Sequence, residues 1–152
     1  MKILGITVFF CITGVALCWE FPGYPGVDCP TAREKMLHDP DVRWMIPKCE
    51  EDGSFQDLQC YSGVVNDTCM CVAPDGSPLT LPGFGLNVVT CVCFNAQYRI
   101  FEHDHEAEMP KCEKNGYYAP LQCSKASGKC WCVDPNGNIT VPPSTEVHSC
   151  DH

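Results

Sequence analysis

The chain is 152 residues long, 45% hydrophobic, with 14 cysteines and a formal net charge of −9 at pH 7. Ten lysine and arginine residues against nineteen acidic ones form no basic stripe, which argues against a nucleic-acid partner. The acidity suits solubility and basic partners, without identifying one.

Residues 1–18 read as a signal peptide. Lys2 supplies a positive start, and the apolar run Ile3 to Leu17 is too short to span a membrane. Ala16 and Cys18 are small residues three and one before a cut at Cys18/Trp19. That cut also removes Cys11 and Cys18 and leaves twelve cysteines, an even number. The expectation is a secreted, extracellular product with no membrane contact after signal removal. Residues 19–28 form a Pro/Gly leader without helical or strand periodicity.

The remaining cysteines fall into two sets of six. Cys29, Cys49, Cys60, Cys69, Cys71 and Cys91 have steps of 20, 11, 9, 2 and 20 residues. Cys93, Cys112, Cys123, Cys130, Cys132 and Cys150 have steps of 19, 11, 7, 2 and 18. This is a tandem of one module, at 29–91 and 93–150. At about 60 residues each, the modules are too small to rely on a hydrophobic core alone. In an oxidising compartment the twelve cysteines read as three disulfides per module. A 20-residue loop closed by one bridge contributes about 3 kcal/mol by loop entropy. Zinc, the rival reading, needs CxxC-type thiolate pairs, and this chain has CxC. Only Val92 separates the two sets, so the modules are held in a constrained orientation.

In module one, Asp28 ahead of Cys29-Pro30 caps a helix that Thr31 to His38 continue, with Ala32, Lys35, Met36 and Leu37 on its inner face. Asp39-Pro40 ends it. The counterpart in module two runs from Phe94 to Glu106, with Phe94, Tyr98 and Phe101 at helical spacing. Asp52-Gly53 and Asn115-Gly116 turn the chain into strands, Ser54–Cys60 and Tyr117–Cys123. Cys69-Met70-Cys71-Val72 and Cys130-Trp131-Cys132-Val133 are strands whose paired sulfurs face one side and so seek different partners. Turns follow at Ala73–Gly76 and Asp134–Gly137. The fold class is small, disulfide-rich α+β: one short helix and a small antiparallel sheet per module, two modules in tandem.

The chemistry of an enzyme is missing. His38, His103, His105, His148 and His152 are present, but the repeat claims every mature cysteine, so no thiol nucleophile remains. No nucleophile elbow, zincin helix or phosphate-cradling loop occurs. His103-Asp104-His105-Glu106 reads as a solvated loop, and no metal or cofactor is implied. Asn66-Asp67-Thr68 and Asn138-Ile139-Thr140 are N-glycosylation sequons at Asn66 and Asn138. Phe55, Tyr117 and Tyr118 read as core, as does Trp131, and burial is also favoured for the apolar triplet Trp44-Met45-Ile46.

Module two carries Pro110-Lys111-Cys112, Asn115-Gly116-Tyr117, Pro120-Leu121-Gln122-Cys123, Gly128 and Cys130-Trp131-Cys132-Val133-Asp134-Pro135-Asn136-Gly137. Module one keeps Pro47-Lys48-Cys49, Gly53, Leu58-Gln59-Cys60, Gly63, Cys69, Cys71-Val72 and Pro74-Asp75-Gly76. On these motifs each module resembles the thyroglobulin type-1 domain. Module one departs at Met70, where the family has Trp, and at Asp57, where module two has Pro120. Met70 fills a gap beside sulfur but loosens the packing expected there.

Six cysteines allow 15 connectivities. The resemblance implies consecutive pairing: Cys29–Cys49, Cys60–Cys69, Cys71–Cys91, Cys93–Cys112, Cys123–Cys130 and Cys132–Cys150. It further implies a thiol protease inhibitor, because the thyropin members of the family block papain-like cysteine proteases with loops inserted into the cleft. Aspartic proteases are a second target class. The alternative is a secreted interaction module without inhibition. By resemblance the contacting segments in module two are Tyr98–Met109, Ser124–Lys129 and Ile139–Thr145. Those in module one are Leu37–Ile46, Tyr61–Thr68 and Leu79–Val88. Arg43, Trp44, Met45, Tyr61, Val64, Val65, Ser124, Lys125, Ala126 and Ser127 are the candidate protease contacts of a monomeric inhibitor. A glycan on Asn66 would obstruct the middle loop of module one, which makes module two the expected inhibitor.

Overall fold

The computed structural model describes residues 26–39, 46–60, 69–81 and 87–150. In chain order the elements are α1 (Cys29–His38), β1 (Leu58–Cys60), β2 (Cys69–Cys71), α2 (Val92–His103), β3 (Leu121–Cys123), β4 (Cys130–Val133) and β5 (Ile139–Ser144). Strands β1 and β2 form a two-stranded antiparallel sheet, and β3-β4-β5 a three-stranded one. Six disulfides, three in each module, brace two helices and two small sheets.

Asp28 starts α1: its Oδ1 accepts a hydrogen bond from the Thr31 N–H at 2.8 Å, satisfying one orphan donor of the first turn. The helix stops where the Asp39 N–H donates to the Lys35 carbonyl, one residue before Pro40. Ala32 and Met36, one turn apart, are fully buried. Lys35 and Leu37 are not inner-face residues; they lie on the other side of the cylinder, Leu37 being 45% exposed. Helix α2 begins earlier than its aromatic spacing suggests, at Val92, and has no side-chain cap. The Cys93 N–H instead donates to the Gly116 carbonyl at 3.1 Å. The helix ends at His103, where Asp104 turns outward and accepts from the Glu106 N–H. Phe101 is exposed and meets the His105 ring edge-on at 4.3 Å, so it does not join Phe94 and Tyr98 on the inner face.

The strands ahead of the third cysteines are shorter than their sequence suggests. In module one the Phe55 N–H donates to Pro74 and the Gln56 N–H to Lys48, so this stretch bonds in alternation to two different segments. Only Leu58–Cys60 remains for the ladder. Tyr118 and Ala119 do the same with Pro135 and Lys111. Conversely, Ile139–Ser144 is a strand and not a loop. Its β-branched start pairs with β4, and Pro142-Pro143 falls where the register shifts between Val141 and Ser144 on this edge strand, so the ladder is already interrupted at the prolines.

Cys60–Cys69 and Cys123–Cys130 link residues directly opposite on neighbouring strands, each with Cα atoms 4.0 Å apart. Cys29–Cys49 and Cys93–Cys112 fasten each helix start to the segment before its sheet, and Cys71–Cys91 and Cys132–Cys150 fasten each second strand to the module end. The core of module one gathers Cys29, Ala32, Met36, Phe55, Met70 and Val72. Met70 is fully buried there and fills the gap in the core. Trp131, expected in the core of module two, is only half-buried, since its bulk exceeds what so small a module encloses.

The modules meet closely. Phe94 of α2 packs against Cys71, Val88 and Cys91 of module one. The Val89 and Thr90 N–H groups donate to the Asn115 carbonyl at 2.9 and 3.2 Å. Gly116, at φ +94°, lies so near that a Cβ would sit 1.6 Å from the Thr90 carbonyl oxygen.

Candidate functional site

Of the ten candidate contacts, Arg43, Trp44, Met45, Tyr61, Val64 and Val65 lie outside the described residues, as does the sequon at Asn66. Ile46, the last residue of the apolar triplet, is half-buried. Ser124, Lys125, Ala126 and Ser127 fall together on the turn joining β3 to β4, and the last three are exposed.

That turn is held from three directions. The Cys123–Cys130 bridge closes its base. Within it, the Ser124 N–H donates to the Lys129 carbonyl at 2.9 Å and the Gly128 N–H to the Ser124 carbonyl at 2.9 Å, while the Ser124 hydroxyl oxygen accepts from the Ser127 N–H at 3.1 Å. Gly128 supplies the left-handed residue that the return needs, at φ +67°. From outside, Glu108 reaches across: its Oε1 accepts from the Lys125 N–H and, at 3.2 Å, from the Ala126 N–H. The Ser124 hydroxyl is the largest influence holding the Glu108 carboxyl below its ordinary value, followed among the lowering contributions by those two N–H groups and the Lys125 charge.

Glu108 belongs to residues 104–109, the part of the expected segment Tyr98–Met109 that is not helix; Tyr98 to His103 are the end of α2. Gln97 on α2 anchors its far end by donating to the Pro110 carbonyl at 2.6 Å. In module one Arg33, likewise four residues after the first cysteine, donates to the Pro47 carbonyl at 2.7 Å. A second fastening is also repeated. Gln122, 3% exposed, accepts from the Lys111 N–H at 2.8 Å and donates to the Lys111 and Ala119 carbonyls at 2.9 and 2.6 Å. Gln59, 1% exposed, makes the same three bonds with Lys48 and Gln56.

The third segment, β5, presents Ile139 and Val141 at 60% and 40% exposure. Asn138 precedes it and is exposed; its side-chain amide donates to Asp134 at 2.8 Å, the largest cause of the lowered Asp134 pKa. Phe55 is core at 3% exposure, whereas Tyr117 and Tyr118 are half-buried beside a surface groove of about 580 Å³ that they line with Pro120 and Pro135. His103 and His105 are exposed, and among the described residues no three His, Cys, Asp or Glu side chains converge on a metal-sized site.

Sequence reasoning missed the two glutamine fastenings, the Arg33/Gln97 anchors and Glu108. The glutamines and anchors had a signal, an identical offset from a cysteine in both modules. Glu108 had none, because it bonds backbone 17 and 18 residues away.

The profile of the thyroglobulin type-1 repeat matches residues 29–83 and 93–150. The chain is similar to U20-hexatoxin-Hi1a of Hadronyche infensa, 32% identical over 112 residues that span 72% of this chain and 76% of the toxin. It is 35% identical over 108 residues to equistatin of Actinia equina, across 64% of this chain and 44% of equistatin. It is 32% identical over 128 residues to thyroglobulin of Rattus norvegicus, where the match spans 78% of this chain and only 4% of thyroglobulin. With both disulfide modules matched, the chain belongs to the thyroglobulin type-1 repeat family.

Proposed function

We propose that this protein is a secreted inhibitor of papain-like cysteine proteases, acting as a monomer and not as an enzyme, whose module two fills the active-site cleft without covalent chemistry. One observation carries the reading. The exposed tip Lys125–Ser127 is closed at its base by Cys123–Cys130 and tied through Glu108 to residues 104–110, so two adjoining backbone segments project already fixed. A preordered edge loses little conformational freedom on docking, and the bridge hinders cleavage by the target. All twelve cysteines from Cys29 to Cys150 are paired, which leaves none of them as a thiol for a covalent attack and suits reversible blockade. Residues 1–18 serve as the signal peptide, and Asn66 and Asn138 as glycan acceptors.

The test is titration of the mature chain against a panel of papain-like and aspartic proteases. Reversible loss of activity, with no adduct in the mass of the enzyme, is the expected result. Absence of inhibition at micromolar concentration would sink the proposal. It would favour an extracellular interaction module, the reading supported by the similarity to a short stretch of thyroglobulin.

A further inference from the structure

Most of what shapes module two is repeated in module one, which makes the unrepeated parts informative. Gln122 and Gln97 have counterparts in Gln59 and Arg33 with the same hydrogen bonds. Glu108 has none. It stands four residues before Cys112, and the residue four before Cys49 is Met45, which has no carboxylate.

Glu108 also acts at one place only. Its Oε1 receives the N–H groups of Lys125 and Ala126, two successive residues at the most exposed point of the β3–β4 turn. The turn's internal bonds, from Ser124, Ser127 and Gly128, fix its return limb and leave those two N–H groups to Glu108. Without an acceptor they would turn to water, and the leading limb would be free to rotate.

We infer that Glu108 is the positioning residue of the inhibitory edge: its carboxylate sets the backbone of the 124–127 tip in the shape that enters the protease. The inference rests on the inhibitory reading proposed above. It adds that tight binding depends on a residue that need not touch the enzyme, and that the dependence follows one carboxylate. Facing that carboxylate are the Ser124 hydroxyl and the charge of Lys125, both on the turn. Together with the backbone donors they hold its pKa below the ordinary 4.5. The clamp is therefore at full strength above that value and weakens only as pH falls through the lower one, so the edge keeps its shape in a mildly acidic compartment.

The experiment compares the mature chain with Glu108→Ala and Glu108→Gln. Amide exchange at Lys125 and Ala126 is followed in the free protein, and inhibition constants are taken against one papain-like protease over a pH series. Glu108→Ala should speed exchange at both amides and weaken inhibition about tenfold at neutral pH, since hydrogen bonds to a charged acceptor are the strong ones. Glu108→Gln retains an oxygen acceptor and should recover most of that loss. Its inhibition constant should converge on that of the wild type only as pH falls through the lowered folded pKa, where the wild-type carboxylate takes up its proton. Taking the ratio at each pH cancels changes in the protease itself. Unchanged exchange in Glu108→Ala overturns the inference, and so does faster exchange with an unchanged inhibition constant. A wild-type chain that inhibits nothing sinks the proposed function instead, a result the exchange arm does not mimic.

Discussion

Replacing Gln122 by Leu should destabilise module two more than any other substitution of similar volume in the sheet. The side chain is 97% buried, and its amide serves three backbone groups: the Lys111 N–H, the Lys111 carbonyl and the Ala119 carbonyl. Leucine fills the space but serves none of them. An orphaned buried N–H costs about 1–3 kcal/mol, and each carbonyl adds to that according to how well water replaces the lost donor. The expected total is about 3–5 kcal/mol, against about 5–15 kcal/mol for a whole domain. Because Lys111 precedes Cys112, the loss should also loosen the segment that the Cys93–Cys112 bridge fastens. The assay is guanidinium unfolding of the mature chain with all disulfides intact, read from the shift in midpoint at constant slope. Gln59→Leu provides the matching measurement in module one, where the same three bonds exist. A loss below about 1 kcal/mol in both variants would show that water reaches these backbone groups, and would refute the accounting.

Gly116→Ala should lower the melting temperature sharply and disturb the junction, because its Cβ would enter the Thr90 carbonyl at a backbone φ of +94°; Gly128→Ala, also at positive φ but in open space, should cost only about 1–2 kcal/mol. Asp28 and Asp134 are held below their ordinary value of 3.8, chiefly by the Thr31 N–H and by Asn138 respectively. Their contribution is present above that value and lost as pH falls through the lower folded one, so melting temperature should be level from pH 7 to pH 5 and drop below pH 3.8. Met70→Ala should cost about 2–5 kcal/mol, the range for emptying a fully buried site, whereas Trp131→Ala should fall at or below the low end of its own range because Trp131 is half-exposed. Both are read from midpoints in guanidinium.

The parts of this fold that sequence showed are those governed by neighbours in the chain. Asp28 as a cap, Pro40 after the last turn, and glycine in each turn at 53, 76, 116 and 137 all act within four residues. The limits of the helices and strands followed less well, because long-range bonds decide them. Helix α2 starts at Val92 since the Gly116 carbonyl, 23 residues on, takes the Cys93 N–H. The strand expected from Tyr117 begins only at Leu121, since Tyr118 and Ala119 bond Pro135 and Lys111. β5 was hidden by two prolines that would disqualify a central strand but sit here at a register irregularity of an edge strand. The proposed contact edge was half legible. Its tip, Ser124–Lys129, followed from the resemblance to the thyroglobulin type-1 domain, while the carboxylate that holds it was marked by nothing.

The two modules are a controlled comparison within one molecule. Where both place the same side chain at the same offset from a cysteine and make the same bonds, as Gln59 and Gln122 do, the residue serves the framework. Any difference in what the heads do must then come from residues that break the repeat. Glu108 against Met45 is one, and the six residues between Cys123 and Cys130 against eight between Cys60 and Cys69, with a sequon among them, is another. Glu108 holds the turn between β3 and β4, and the difference in length falls between the two cysteines of each middle disulfide. The junction at Gly116 and Phe94 holds the modules together closely. A partner engaging the turn of module two therefore meets module one in one orientation. Module one then presents a fixed flank to that partner.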